Sequence, residues 1–589
     1  MMNQTRDLAG HLSSQHIGKT VTLNGWVDVV RDHGQLIFIH VRDHTGIVQV
    51  VVDQDNPNYA QSKQLRSEYV IGVTGPVVAR ESAAKNLDMV TGSIEVQVAT
   101  LIVFNESKTP PFVISEKESQ PVDEDIRLQH RYLDLRRPAM QDRLIQRHRI
   151  IKVVRDYFDQ HDFIEVETPL LTRSTPEGAR DYLVPSRVHS NSFYALPQSP
   201  QLFKQLLMMS GMGRYMQIAR CFRDEDLRPN RQPEFTQLDF EASFIDESFI
   251  MNLINPLMQD LFKASNLPFT EPIRTLTYAD AMAQYGSDKP DLRFGLEFVD
   301  LNPVFAQTQY KIFRSILDNG GCIKGIRLPK QSSKLSKSRL QDHYAKTVVP
   351  KLGGKGMTWL RVTENKLESS VLQFFSAAEQ TDLQTAMGAK SDDVIMIIAD
   401  TDPQAVHAIL GNLRLQVARD LDLINTDQVI GCWITEFPLF ESRNGQLNLL
   451  HHPFTQPTSD ITQLTTESEY LGITARAYDL VINGEEIGGG SIRIHDAALQ
   501  RKVFDIAGLS DAEIQEKFGF FIQALHYGTP PHGGMAIGLD RLVAMLCQTD
   551  SIRDVIAFPK NRMAVCPLTK APASVHMDQL NELNIQLRG

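Results

Sequence analysis

Between residues 19 and 105 apolar and polar residues alternate with a period of two, in the runs TVTLNGWVDVV, QLIFIHVRD, GIVQVVVD, YVIGVTGPVVAR and GSIEVQVATLIVF. Turn residues at Asp32-His33-Gly34 and Asp43-His44-Thr45-Gly46 separate them. The pattern predicts five strands, each with one face in a core, and a helical piece near residues 57–68. Together these make a small closed barrel. Residues 106–126 carry three prolines and many charges without periodicity, as a linker does. From Met140 the period becomes helical, with Leu144, Ile151, Val154 and Phe158 on one side and Arg143, Arg147, Arg149 and Arg155 on the same helix. A strand, FIEVETPLL, is expected next and is stopped by Pro169. Between about 292 and 421 the texture changes: the lysine-rich LPKQSSKLSKSRL, glycines at 353–356, the strand VIMIIAD and the helix HAILGNLRLQVARDL predict an inserted α+β domain.

A chain of 589 residues exceeds what one core supports, so several domains are expected. No apolar run reaches eighteen residues, and the start MMNQTRDLAG lacks the pattern of a secretion signal. A cytoplasmic protein without a membrane span is the expectation. Cys221, Cys322, Cys432, Cys547 and Cys566 form no C-x-x-C pair, which argues against a disulfide framework and a structural zinc site. The net charge of −11 excludes a general basic coat for nucleic acid. A local patch stays open: from Arg127 to Arg155 nine Arg or Lys stand against two acidic residues, which predicts a partner, either another subunit or RNA.

Candidate chemistry concentrates in Arg220–Glu241, RCFRDEDLRPNRQPEFTQLDFE. The expected geometry is a strand carrying Cys221 to Glu225, a loop through Leu227 to Gln232, and a returning strand with Phe235, Gln237 and Asp239 on one face. Alternation then places Arg223 and Glu225 on a common face, so an arginine fork, an aromatic plate and acidic groups line one anion-binding pocket. In T-P-E-G, Gly178 leaves Glu177 on a mobile lid. In QSPQLFKQ a proline opens a helix and sets Gln201 and Lys204 on one face. Asp479 and Glu486, in AYDLVINGEEIGGGSIRIH, converge across a strand and turn, with Arg493 following. Two carboxylates beside a phosphate site suit Mg²⁺. Of the adjacent His451 and His452 one at most faces a site, because neighbours on a strand point opposite ways. On the barrel, Arg31, Phe38 and Gln49 offer a cation, a stacking ring and an amide to single-stranded bases.

The spacing F-R-D-E, then R, then F-x-x-x-D resembles motif 2 of the class II aminoacyl-tRNA synthetases. The helix and strand ending in proline resemble motif 1, the dimer-forming element, and YGTPPHGGMAIGLDRLVAML resembles motif 3, with Ala536 where some members have glycine. The barrel resembles the OB-fold anticodon-binding domain of the aspartyl, asparaginyl and lysyl enzymes. The inserted domain between two catalytic halves resembles the bacterial-type aspartyl-tRNA synthetases of subclass b, and this resemblance covers essentially the whole chain.

The resemblance implies a multidomain α+β protein: an OB-fold domain over 1–108, a hinge over 109–130, a class II antiparallel-sheet catalytic domain over 131–291 and 422–570, the insertion over 292–421 and a C-terminal extension over 571–589. It implies a homodimer that joins L-aspartate to tRNA(Asp) through aspartyl-adenylate, with ATP as substrate and Mg²⁺ as cofactor. By that resemblance Arg223, Glu486 and Arg541 are catalytic. Aspartate is held by Glu177, Gln201, Lys204, Arg223, Asp239, His451 and Arg493. ATP is held by Arg223, Asp224, Glu225, Gln232, Phe235, Glu486, Gly538, Leu539, Asp540 and Arg541, with Arg231 assisting. Mg²⁺ falls to Asp479 and Glu486, and the anticodon to Arg31, Phe38 and Gln49. Members strict for tRNA(Asp) tend to carry leucine where this chain has His33 and lysine near Ala83, so these two residues lean toward accepting tRNA(Asn) as well. The alternatives are a strictly tRNA(Asp)-specific enzyme, an asparaginyl enzyme, disfavoured by Lys204 and Arg493, and a silent RNA-binding relative, disfavoured by the presence of Arg223, Glu486 and Arg541.

Overall fold

The computed structural model describes residues 6–115, 121–175, 178–228, 230–364, 366–443 and 445–587. Two compact units divide the chain: Met1–Ile151 with Asp226–Pro233 and Val543–Gly589, and Lys152–Glu225 with Glu234–Leu542.

In the first unit, strands Thr20–Asp32, Leu36–Asp43, Gly46–Asp53, Ile94–Gln97 and Val70–Ala79 pair in that order, and Val70–Ala79 returns to Thr20–Asp32 to close a barrel. The alternation explains the closure: Ile37, Ile39, Val41, Val48, Val50 and Val52 fill the interior, and the residues between them face outward. The fifth expected strand is in fact two. Val98 and Ala99 break it, and Thr100–Asn105 pairs as a sixth strand on Val70–Ala79.

The expected linker is partly packed. Phe112 and Ile114 are buried against Leu133, and helix Glu124–Gln129 is capped by Asp123. The basic run that follows is largely satisfied within the chain rather than kept for a partner. Buried Arg131 donates to Asp134 and to the carbonyls of Arg553, Ile556 and Ala557. Arg127 and Arg143 pair with Asp554. Arg136 pairs with Glu68, which also holds Arg42 beside Asp28.

The second unit is built on an eight-stranded sheet in the order Phe269–Thr277, Val429–Thr435, Ala477–Ile482, Glu485–Ile492, His532–Gly538, Glu234–Ser243, Arg214–Phe222, Ile164–Glu165. The five central pairings are antiparallel, and the outermost pairing at each edge is parallel. The strand expected in FIEVETPLL shrinks to Ile164–Glu165. Beyond it Thr168 bonds the Gln217 side chain in place of a backbone ladder, and Pro169 ends the pairing.

Residues 299–420 of this unit carry their own antiparallel sheet, ordered Val299–Asp300, Cys322–Leu328, Val394–Asp400, Thr358–Thr363, Lys366–Glu368. Separate apolar clusters cover its two faces, one under helix Pro403–Asp420 and one around Phe305, Phe313 and Phe375. All five cysteines are free. Among the described residues no helix is long and apolar enough to cross a membrane.

Candidate active site

The second unit holds a cavity of about 460 Å³ lined by Gln201, Lys204, Arg223, Asp239, His451, His452, Asp479, Glu486 and Arg493, among others. Its floor is the antiparallel sheet and its wall is helix Gln201–Met209, which starts after Pro200 and buries Gln201 and Lys204 together. Period-two alternation on Glu234–Ser243 sends Gln237, Asp239 and Glu241 to one face.

Two cations and two carboxylates interlock there. Lys204 Nζ lies 3.1 Å from Asp239 Oδ2 and 3.3 Å from Glu241 Oε2. Arg493 forks onto Glu241 at 2.8 and 3.1 Å, and also donates to Ser491 Oγ and, at 2.6 Å, to His452 Nε2. Burial pushes Asp239 up to about 6 against the pull of Lys204. Burial acts the same way on Glu241, but Arg493 and Lys204 overcome it and hold that carboxyl down to about 2. Asp239 Oδ1 is buried without a hydrogen-bond partner and so keeps an acceptor free. Burial and the neighbouring Arg493 lower His452 far below its usual range, which leaves it a neutral acceptor. Burial lowers His451 to about 4, and its ring sets edge-on to Phe437.

Both histidines line the cavity, which corrects the expectation that one at most does. The chain at 451–452 is a bend and not a strand, so alternation does not apply to it.

Asp479 and Glu486 come from the paired strands Ala477–Ile482 and Glu485–Ile492, whose register slips between Leu480 and Val481. Burial, followed by the charge of Glu486, pushes Asp479 well up. Glu486, although burial opposes it, is held down by Lys289 and Arg541. Gly489 is required here, since a Cβ on it would stand 2.2 Å from Asp479 Oδ1. Among the described residues no three His, Cys, Asp or Glu side chains group as a metal cage. A pair of hard oxygen donors that leaves further positions to phosphate and water fits Mg²⁺ and does not fit zinc.

Arg223 lies over the Phe235 ring, 5.1 Å from its centroid. The strand before it ends at Phe222, so Arg223 and Glu225 do not share a strand face; Asp224 instead bridges to Arg180. Arg541 donates to the Glu486 carbonyl and keeps a buried Nε without a partner. Asp540 accepts the Thr236 N–H at 2.7 Å, and Leu539 is buried. Both therefore fix helix Leu539–Leu546 at the end of strand His532–Gly538 and do not face the cavity. Gln232 belongs to the first unit, where both ends of its amide bond the Lys560 backbone. Glu177 lies outside the described residues.

Sequence reasoning gave no role to Glu241, His452 or Lys289. Glu241 carried a readable signal, since it sits two positions beyond Asp239 on the same strand face.

On the barrel, Arg31 stands opposite Phe38, and His40 opposite Gln49. All four face away from the core formed by Ile37, Ile39, Val48 and Val50. Arg31 is exposed and Phe38 half-buried, with exposed His33 edge-on to it at 5.5 Å. Gln49 is buried and already donates to Glu95 at 2.8 Å. Ala83 is exposed on the short turn Ser82–Ala84.

A central antiparallel sheet carrying this pocket, in a chain with an OB barrel, defines a class II tRNA synthetase. The family model "tRNA synthetases class II (D, K and N)" matches residues 123–562, and the chain belongs to that family of aminoacyl-tRNA ligases. The model "OB-fold nucleic acid binding domain" matches residues 21–103. The chain is 53% identical to the aspartate–tRNA(Asp/Asn) ligase 1 of Syntrophus aciditrophicus (strain SB), over 98% of its own length and 82% of that protein. It is 49% identical to the aspartate–tRNA(Asp/Asn) ligase of Natranaerobius thermophilus, over 98% of each. The solved asparaginyl-tRNA synthetase of Entamoeba histolytica, in complex with asparaginyl-adenylate, shares the fold at 18% identity and a TM-score of 0.59, covering 95% of this chain and 99% of that one.

Proposed function

We propose that this chain attaches L-aspartate to tRNA(Asp) and tRNA(Asn) in the cytoplasm. In the first step an oxygen of the aspartate α-carboxylate attacks the α-phosphorus of ATP, pyrophosphate leaves, and aspartyl-adenylate forms. In the second a hydroxyl at the tRNA 3′ end attacks the acyl carbon and AMP departs. Neither step uses a covalent enzyme nucleophile, so the protein's work is alignment and charge neutralisation.

The observation that carries this reading is the pair of buried cations, Lys204 and Arg493, lining one cavity. They receive the side-chain carboxylate of aspartate, while Gln201 and the free Oδ1 of Asp239 receive its ammonium group. Asparagine has the same shape without the charge and gives the two cations no anion beyond Asp239 and Glu241, at roughly several kcal/mol. His451 and His452 both border the same cavity, and His452 accepts a bond from Arg493. Arg223 takes the reacting carboxylate and α-phosphate, Phe235 offers its ring to adenine, and Arg541 takes the terminal phosphate. Asp479 and Glu486 would hold Mg²⁺, which when bound neutralises phosphate charge.

Phe38 and Arg31 present stacking and charge to anticodon bases, and Gln49 reads a base edge once it is released from Glu95. Acceptance of tRNA(Asn) is supported by His33 and Ala83 and by the names of the two relatives. Charging of purified tRNA(Asp) and tRNA(Asn) transcripts tests it: both should accept aspartate, and no charging of tRNA(Asn) above background refutes the wider specificity. A homodimer is supported by the edge strand Ile164–Glu165, with Ile164, Leu170 and Leu171 exposed. Sedimentation at the mass of one chain would overturn that.

A further inference from the structure

We propose that Lys289 is a tethered counter-cation for the metal-binding pair Asp479 and Glu486, holding Glu486 in place and competing with the divalent ion for it. The inference rests on the reading of these carboxylates as the Mg²⁺ site. Lys289 Nζ lies 2.6 Å from Glu486 Oε2, and Glu486 shares its cavity with Asp479 and Asp288. Three carboxylates facing one cavity repel one another, and a nearby ammonium group offsets that repulsion when no metal is bound.

The lysine is positioned from two sides. Its loop runs from Ser287 to Arg293, with the Lys289 N–H donating to Ser287 Oγ and Asp291 paired to Arg293. Arg414, buried on helix Pro403–Asp420 and stacked on Phe294, donates to the Asp291 carbonyl at 2.7 Å. From the other side, the hairpin turn that precedes Glu486 packs on the same loop. Gly484 has φ +83°, and a Cβ there would stand 3.0 Å from that of Asp291. Lysine suits the role because it is a compact charge on a flexible stem that can withdraw, whereas arginine would lock a planar fork. The side chains are 41% and 34% exposed, so a divalent ion reaches Glu486 without unfolding the loop.

Mn²⁺ binding to the nucleotide-free protein, followed by electron paramagnetic resonance, tests this without reference to turnover. Lys289→Met should bind Mn²⁺ roughly three- to tenfold more tightly than wild type, as removal of a partly exposed competing charge predicts. Lys289→Gln should behave alike and serves if the Met variant folds poorly. Unchanged or weaker Mn²⁺ binding in these variants, with wild-type binding abolished by Glu486→Gln, overturns the role of Lys289 and leaves the metal site standing. Wild-type Mn²⁺ binding that survives Glu486→Gln overturns the metal assignment, and the Lys289 proposal with it.

Discussion

Glu241 joins the two cations of the pocket, and Glu241→Gln shows how much the pocket depends on it. The carboxylate is fully buried, takes two bonds from Arg493 at 2.8 and 3.1 Å, and stands 3.3 Å from Lys204. At these separations each of the two cations carries about 5–6 kcal/mol of attraction at an effective dielectric of 20. Desolvation cancels much of this, so the measured cost of stripping one partner from such a cluster is about 3–5 kcal/mol. Glutamine keeps the shape, accepts one bond and turns an N–H₂ toward a cation. Thermal unfolding of the variant should therefore fall by roughly 5–15 °C. Arg493 also loses the fork that sets its plane, so in pyrophosphate exchange KM for aspartate should rise about ten- to a hundredfold, with a smaller change in kcat. Melting and exchange kinetics on one preparation suffice. A variant within 2 °C of wild type and with KM unchanged would refute the argument that Glu241 anchors both cations.

Other outcomes follow from the same geometry. Because burial raises Asp239 to about 6, kcat/KM for aspartate should fall about tenfold per pH unit below that value, and Asp239→Asn should flatten this limb. The sign for stability is set by the same raised carboxyl: its contribution is full below the unfolded value of about 3.9 and is lost as pH rises through about 6, so a melt of Asp239→Asn should gain on wild type over that interval. Gly489→Ala drives a methyl into Asp479, which stands 2.2 Å from the added carbon; melting should show a loss of about 1–3 kcal/mol, and exchange should need more Mg²⁺. Phe38→Ala should reduce tRNA charging by about 1–3 kcal/mol in kcat/KM while exchange without tRNA stays at the wild-type rate; an equal fall in both would remove Phe38 from the anticodon.

Much of the fold was legible because alternation reports on burial directly. Ile37, Ile39 and Val41 read as one face of a strand in the sequence and form one wall of the barrel core. The linker misled because prolines and charges dominate its composition, while two apolar residues, Phe112 and Ile114, suffice to seat it. The basic run from Arg127 misled for a different reason. Its acidic partner Asp554 and the carbonyls that Arg131 fills lie more than 400 residues away, and local sequence carries no trace of such pairing.

In the site, Gln201, Lys204, Asp239, Asp479, Glu486 and Arg493 were named from local motifs and line one cavity. Lys289 escaped notice because it is defined by what it neutralises across the fold, whereas Glu241 carried the alternation of its own strand. Gln232 and Asp540 stand in motifs yet bond backbone groups, since position in a motif does not reveal which atom a polar side chain meets.

Amino-acid-dependent exchange of pyrophosphate into ATP tests the central claim, that Lys204 and Arg493 select a side-chain carboxylate. Aspartate should support exchange, and asparagine should fall short by at least about a hundredfold in kcat/KM. Equal exchange with asparagine, or exchange with asparagine alone, would contradict the account.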